Sequence, residues 1–225
     1  MIPWEHLADA RIPGTDDVLR LYRRDGEFSL RIGRLELMNS RQHGSEEALA
    51  ELALTGSATA SRKRVLVGGL GMGFTLRAAL DVLPADAQVT VAELVPEVIA
   101  WNRSWLAPLA GAPLNDPRVE VVEGDVATIF RQRRLRFDAI LLDTDNGPEG
   151  TTSSENEWLY GPAGLSAIAG CLQPGGVLAV WSAFPSRSFT QRLSRNGYRV
   201  RTETVRARSG KGARHTVWLA TTPGT

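Results

Sequence analysis

From Arg64 to the end of the chain, short apolar runs of strand length alternate with segments whose apolar residues recur at helical spacing. This is the pattern of a largely parallel sheet covered on both faces. An apolar run from Arg64 to Val67 enters a cluster of glycines, and Phe74 to Leu83 reads as a helix closed by Pro84. Val89 to Glu93 is a strand, and Pro96 to Leu106 is a helix with proline in its first turn. Val119 to Asp125 alternates and ends in an acid, Val126 to Arg131 is a short helix, and Phe137 to Asp143 is a strand buried on both faces. Gly164 to Leu172 is helical, Pro174-Gly175-Gly176 turns, Val177 to Trp181 is a strand, and Ser186 to Arg195 is a helix stopped by Gly197. Tyr198 to Arg208 and His215 to Thr221 are joined by too few residues for a crossover helix, so they are expected to pair as an antiparallel hairpin.

Upstream, Val18 to Tyr22, Glu27 to Ile32 and Arg34 to Met38 are short strands separated by Asp25-Gly26 and Gly33, a small antiparallel β meander. A helix from Ser45 to Leu54 opens with a capping sequence, and Gly56 to Ser61 is a linker. Two units are therefore expected, the meander with its linking helix over residues 1–56 and an α/β unit over 57–225.

With 225 residues, 43% of them hydrophobic, the chain is long enough to bury a three-layer core. Its 26 basic and 25 acidic residues leave no global field to steer it towards nucleic acid or a membrane. The basic runs 131–136 and 206–214 contain no interleaved aromatics, and a nucleic-acid partner is not expected. A single cysteine, Cys171, excludes an internal disulfide and a cysteine metal site; no metal is expected. The segment Met1-Ile2-Pro3-Trp4-Glu5-His6 shows no basic region followed by a long apolar one, and no run approaches the ~20 residues of a membrane span. A cytoplasmic protein without a membrane partner is the expectation.

The chemistry is concentrated after the first parallel strand. Gly69-Leu70-Gly71-Met72-Gly73 joins strand to helix, and glycine lets such a turn take positive φ and bring backbone N–H groups close to a ligand. About 20 residues on, Glu93 ends the next strand, where a carboxylate accepts ribose hydroxyls in doubly wound folds. The last glycine comes one residue earlier than in the G-x-G-x-x-G of dinucleotide enzymes. The shorter turn resembles the first motif of class I S-adenosylmethionine-dependent transferases, as does a parallel sheet ending in an antiparallel hairpin. The resemblance implies a Rossmann-like class I methyltransferase fold, a seven-stranded sheet with a C-terminal hairpin, preceded here by the meander.

The order of parts also resembles the spermidine synthase (aminopropyltransferase) family, and more closely its shorter spermidine-synthase-like offshoots. The likeness covers about residues 18–185. It rests on the meander, the Ser45-Glu46-Glu47 helix, Gly69 to Gly73, Glu93, Gly124-Asp125, Asp143-Thr144-Asp145-Asn146-Gly147-Pro148, Leu159-Tyr160 and Leu172-Gln173-Pro174-Gly175-Gly176. It implies that the glycine turn, Glu93 with Leu94, and Gly124, Asp125 and Val126 hold the adenosyl group. Glu93 would hold the ribose, Asp125 the adenine amino group, and Asp143 the aminoalkyl end or the incoming amine. It also implies a homodimer supported by the meander.

Two departures bear on the acceptor. The polyamine-making enzymes usually carry Tyr-His beside a glutamate on the helix after the meander, and this chain has Leu49-Ala50 before Glu51. Their acidic loop usually spaces two aspartates three apart, whereas Asp143 and Asp145 are two apart. The expected function is thus transfer of a methyl group from S-adenosylmethionine to a small acceptor. Aminopropyl transfer from decarboxylated S-adenosylmethionine is the alternative, and a non-catalytic adenosyl-binding module is a further one. An amine acceptor must lose a proton to attack, and Asp143 or Asp145 can take it. Asn146, His43, Gln42 and Tyr160 are candidate acceptor contacts, and Arg41 is the arginine in place to pair with a cofactor carboxylate.

Overall fold

In the computed structural model, residues 2–55, 63–132, 134–144, 147–148, 154–208 and 211–224 are described. Four strands come first: β1 (Glu5–Arg11), β2 (Val18–Arg24), β3 (Glu27–Ile32) and β4 (Leu35–Asn39), followed by helix α1 (Gly44–Leu54). The α/β part then runs β5 (Arg64–Gly68), α2 (Phe74–Val82), β6 (Gln88–Glu93), α3 (Pro96–Asn102), β7 (Val119–Glu123), α4 (Val126–Gln132) and β8 (Phe137–Leu142). It closes with α5 (Ser154–Tyr160), α6 (Pro162–Gly170), β9 (Leu172–Ser182), α7 (Arg187–Arg195), β10 (Arg199–Arg208) and β11 (Lys211–Thr221).

The large sheet has seven strands in the order β10-β11-β9-β8-β5-β6-β7. Strands β5 to β9 are parallel, while β11 runs antiparallel to both β9 and β10. The order reverses at β5, which has β6 on one side and β8 on the other. In such sheets the crevice at the carboxyl ends of the strands flanking the reversal is the ligand site.

Alternation along the central strands explains the layers. Val65, Val67, Ala139 and Leu141 face one apolar core, while Leu66, Ile140 and Leu142 face the other. The first core takes in Leu76 and Ala79 of α2, Leu49 and Ala53 of α1, and Leu19, Leu21, Phe28 and Leu30 of the small sheet. The meander thus packs into the same core as the glycine-turn helix rather than standing apart. The second core contains Phe130, Ile168, Phe189 and Trp218.

Several elements differ from the sequence-based expectation. The small sheet has a fourth strand, β1, paired antiparallel to β2 at its edge. Only Ala10 of β1 is buried, so the strand carries no apolar alternation to announce it. Helix α3 stops at Asn102 instead of Leu106, and two 3-10 turns follow at Ala107–Ala110 and Pro113–Asn115. Asn102 Nδ2 donates to Gly71 O and Val98 O, which draws the end of α3 onto the glycine turn. Pro174-Gly175-Gly176 lies inside β9 rather than in a free turn, its register against β8 shifted between Phe137 and Ala139. Helix α5 is an addition to the elements expected from the sequence. Residues 56–62, which contain the expected linker and the boundary between the two units, lie outside the described residues.

Candidate functional site

The glycine turn occupies the carboxyl end of β5. Gly69 has φ 89°, and a Cβ there would lie against the carbonyl of Asp143, so the close passage of the two strand ends requires glycine. Gly73 also has positive φ, 86°, at the N-cap position of α2. Leu70 and Met72 are buried beneath the turn, which therefore presents backbone rather than side chains to the crevice. Met38 of β4 reaches across the turn to Gly71.

Glu93 ends β6 next to the turn and is 8% exposed. Its Oε2 accepts from Leu70 N at 2.8 Å and its Oε1 from Val95 N at 2.9 Å. Burial pushes its carboxyl above the usual carboxylate range, and these backbone N–H groups oppose that rise. Leu94 beside it is an exposed apolar residue. After β7, Gly124 N donates to Glu93 O, Asp125 Oδ1 accepts from Ala127 N in the first turn of α4, and Val126 is buried. Glu93 and Asp125 are thereby locked onto neighbouring strand ends.

Asp143 ends β8, its N–H bonded to Gly68 O. Its Oδ2 accepts from Thr75 Oγ1 at 2.6 Å, and burial raises its pKa to about 6 against that bond. Glu46, in the first turn of α1, is buried, and its pKa rises to about 7, first from burial and then from the Asp143 charge. Ser45 Oγ donates to Glu46 Oε2 at 2.5 Å and meets His215 Nδ1 of β11 at 2.8 Å. The capping role expected of Ser45 is not the one it has: the helix begins at Gly44 with His43 at the N-cap position and no side-chain cap, so Ser45 lies inside the first turn and its hydroxyl meets Glu46 and His215. The His215 ring lies edge-on to Trp181 of β9 at 4.8 Å, and burial lowers its pKa.

The remaining candidates are dispersed. His43 stacks on Phe74, the first residue of α2, at 4.2 Å and pairs with Glu47 at 2.8 Å. Gln42 leads into α1, half-buried. The guanidinium of Arg41 faces Glu27 at 3.4 Å and the side chain is half-exposed. Tyr160 is buried, edge-on to Phe189, with its hydroxyl 2.8 Å from Thr144 Oγ1 behind the Asp143 loop. Asp145 and Asn146 lie outside the described residues. In the basic runs, Arg131 lies over Trp158, Arg136 donates to Leu172 O and Arg208 to Arg41 O. No group of three or more metal-ligating side chains occurs among the described residues.

A family model, the spermine/spermidine synthase domain, matches residues 42–196, well over half of the chain. The chain belongs to that family. The matched span contains the α1 carboxylates, the glycine turn, Glu93, Asp125 and Asp143. Among curated relatives, putrescine N-methyltransferase 2 of Nicotiana attenuata is 33% identical over 117 residues, 52% of this chain and 30% of that protein. Polyamine aminopropyltransferase 2 of Hyperthermus butylicus is 28% identical over 156 residues, 69% of this chain and 49% of that protein. The matches thus span about a third to a half of those relatives' lengths. The fold is that of spermidine synthase from Thermotoga maritima, with a TM-score of 0.74 at 18% identity over 96% of this chain and 72% of that one.

The residues present suit an adenosyl group. Glu93 stands at the strand end beside the glycine turn, in the crevice where a ribose would lie, and Leu94 offers an exposed apolar surface beside it. Sequence reasoning passed over Thr75, Glu46 and His215 as site residues. Thr75 and Glu46 stand within or beside the motifs that carry the resemblance, but nothing local marks His215, which reaches the site only through the antiparallel return of β11.

Proposed function

We propose that this protein is an S-adenosylmethionine-dependent transferase that methylates a small amine. The observation that carries this reading is the pairing of two carboxylates beside the glycine turn, the half-buried Asp143 at the end of β8, on the opposite side of β5 from Glu93, and the buried Glu46 on α1. Two carboxyl groups with pKa values near about 6 and about 7 hold one or two negative charges at neutral pH, enough to bind an ammonium and take its proton. Bound S-adenosylmethionine supplies a sulfonium-activated methyl carbon with a neutral leaving group. The chain's own residues align the amine, receive its proton and keep water out. Leu49 and Ala50 are fully buried, so that turn of α1 offers a long diamine no polar contact. The methyltransferase relatives support this choice.

One observation favours aminopropyl transfer from decarboxylated S-adenosylmethionine. Arg41 is paired with Glu27, which leaves the carboxylate of the intact cofactor without that partner near Asp143. Calorimetric titration with both cofactor forms decides between the readings. Tighter binding of S-adenosylmethionine, with methyl transfer to an amine, supports methylation. Tighter binding of the decarboxylated form, with putrescine converted to spermidine, establishes the second reading.

A further inference from the structure

An amine that arrives as ammonium loses one proton before its lone pair forms the N–C bond, and the C–S bond breaks with its electron pair left on sulfur. Each turnover therefore releases one proton, and nothing is oxidised or reduced. A proton taken up by Glu46, which is 6% exposed, lies on a carboxyl closed to solvent and needs a way out.

We propose that Glu46, Ser45 and His215 form a relay that carries this proton from the Asp143 and Glu46 carboxylates to the half-buried imidazole of His215 and from there to water. The inference rests on the amine-transfer reading above. A serine hydroxyl has one donor and two acceptor positions, so the chain of hydrogen bonds runs in either direction. With Glu46 ionised, Ser45 donates to Glu46 Oε2 at 2.5 Å and His215 Nδ1–H donates to Ser45 Oγ at 2.8 Å. With Glu46 protonated, its O–H donates to Ser45, Ser45 donates to His215 Nδ1, and the imidazole proton sits on Nε2. Passage from the second arrangement to the first hands the Glu46 proton through Ser45 to His215 Nδ1 while the Nε2 proton leaves to water, so one proton is exported along three residues from α1 and β11.

Its surroundings favour a relay over a buried ion pair. Burial lowers the His215 pKa, which keeps the ring neutral and able to change tautomer near pH 7. Trp181 holds the ring edge-on. The titratable and charged groups around the relay are His43 at the N-cap of α1, Glu47 on α1, Asp143 after β8, Arg206 and Arg208 on β10, whose backbone lies against Gly44, and Arg214 next to His215 on β11. Glu46 is raised first by burial, then by the charge of Asp143 and, less, by that of Glu47. Ser45 and His215 are positioning residues that act through Glu46, which faces the acceptor.

The test has two readouts. In the ligand-free protein, the ring nitrogens of His215 are followed by NMR from about pH 5 to about pH 9. A tautomer change that tracks the Glu46 titration is expected, and it should be lost in Glu46→Gln and Ser45→Ala while Ser45→Thr keeps it. A His215 titration identical in all four proteins overturns the relay. In turnover, Ser45→Ala should lower kcat on an ammonium acceptor by about a hundredfold at neutral pH. The deficit should shrink towards pH ~10, where the amine arrives neutral and exports no proton. A kcat loss independent of pH marks Ser45 as merely structural and also overturns it. Failure of the unaltered protein to bind S-adenosylmethionine would instead overturn the transferase reading, while the NMR titration would still show whether the three residues exchange a proton.

Discussion

Thr75 Oγ1 donates a 2.6 Å hydrogen bond to Asp143 Oδ2, joining the first turn of the glycine-loop helix to the end of β8. The bond stabilises the ionised carboxylate, and burial opposes it, so the two together set the pKa of Asp143 near about 6. Thr75→Val removes the donor and leaves the carboxylate with burial alone. Asp143 should then titrate above about 6, and the limb of the rate profile that depends on its ionised form should move to higher pH. A buried acceptor without its donor costs about 1–3 kcal/mol of stability by chemical denaturation. Thr75→Ser should behave as the unaltered protein. Identical Asp143 titration in the valine variant would show that the hydroxyl does not tune the site.

Glu46 makes stability depend on pH with a definite sign. Its carboxyl titrates near about 7 when folded, against an ordinary 4.5. The folded protein therefore holds a proton that the unfolded chain has lost, and stability falls as pH rises from about 4 to about 7. Asp143, raised from 3.8 to about 6, acts in the same sense. His215, lowered by burial, acts in the opposite sense, so the comparison of variants decides the matter. Glu46→Gln should flatten the slope and add about 1–3 kcal/mol at pH 8. A glutamine variant with the same melting profile as the parent from pH 5 to pH 8 would contradict the assignment.

Glu93 serves the fold by accepting backbone N–H groups of Leu70 and Val95, and the proposal gives it the ribose of the cofactor as well. Glu93→Ala should weaken S-adenosylmethionine binding about ten- to a hundredfold and also lower stability. Glu93→Gln keeps one carbonyl oxygen and should lose less of both. Calorimetry on folded samples separates the effects, and unchanged affinity in the alanine variant removes Glu93 from the cofactor site.

Leu35 and Leu37 on β4 are 59% and 40% exposed, at an edge strand of the small sheet. An exposed apolar edge strand is a surface that another chain covers. Sedimentation should show a species near twice 24.5 kDa, and Leu35→Lys with Leu37→Lys should return it to the monomer. A parent protein that sediments as a monomer at high concentration excludes the homodimer.

Contiguous residues are enough to specify the succession of strands and helices, the glycine turn, and Glu93 and Asp125 at strand ends. Each is written locally, through alternation, helical spacing and the backbone freedom of glycine. Strand β1 escapes such reading because an edge strand with one buried residue leaves no periodic trace. Ser45 is misread as a cap because Ser-Glu-Glu before an apolar run has that form. Only the assembled fold brings Ser45 to His215, 170 positions away, and Thr75 to Asp143 across 68. It also turns Arg41 towards Glu27. The physical reason lies in the strand order: β8 beside β5 brings Asp143 to the glycine turn, and β11 returning antiparallel along β9 carries His215 to α1. Local stereochemistry sets the elements, but which carboxylates share a buried site depends on how the sheet is assembled, and no short window of sequence contains that information.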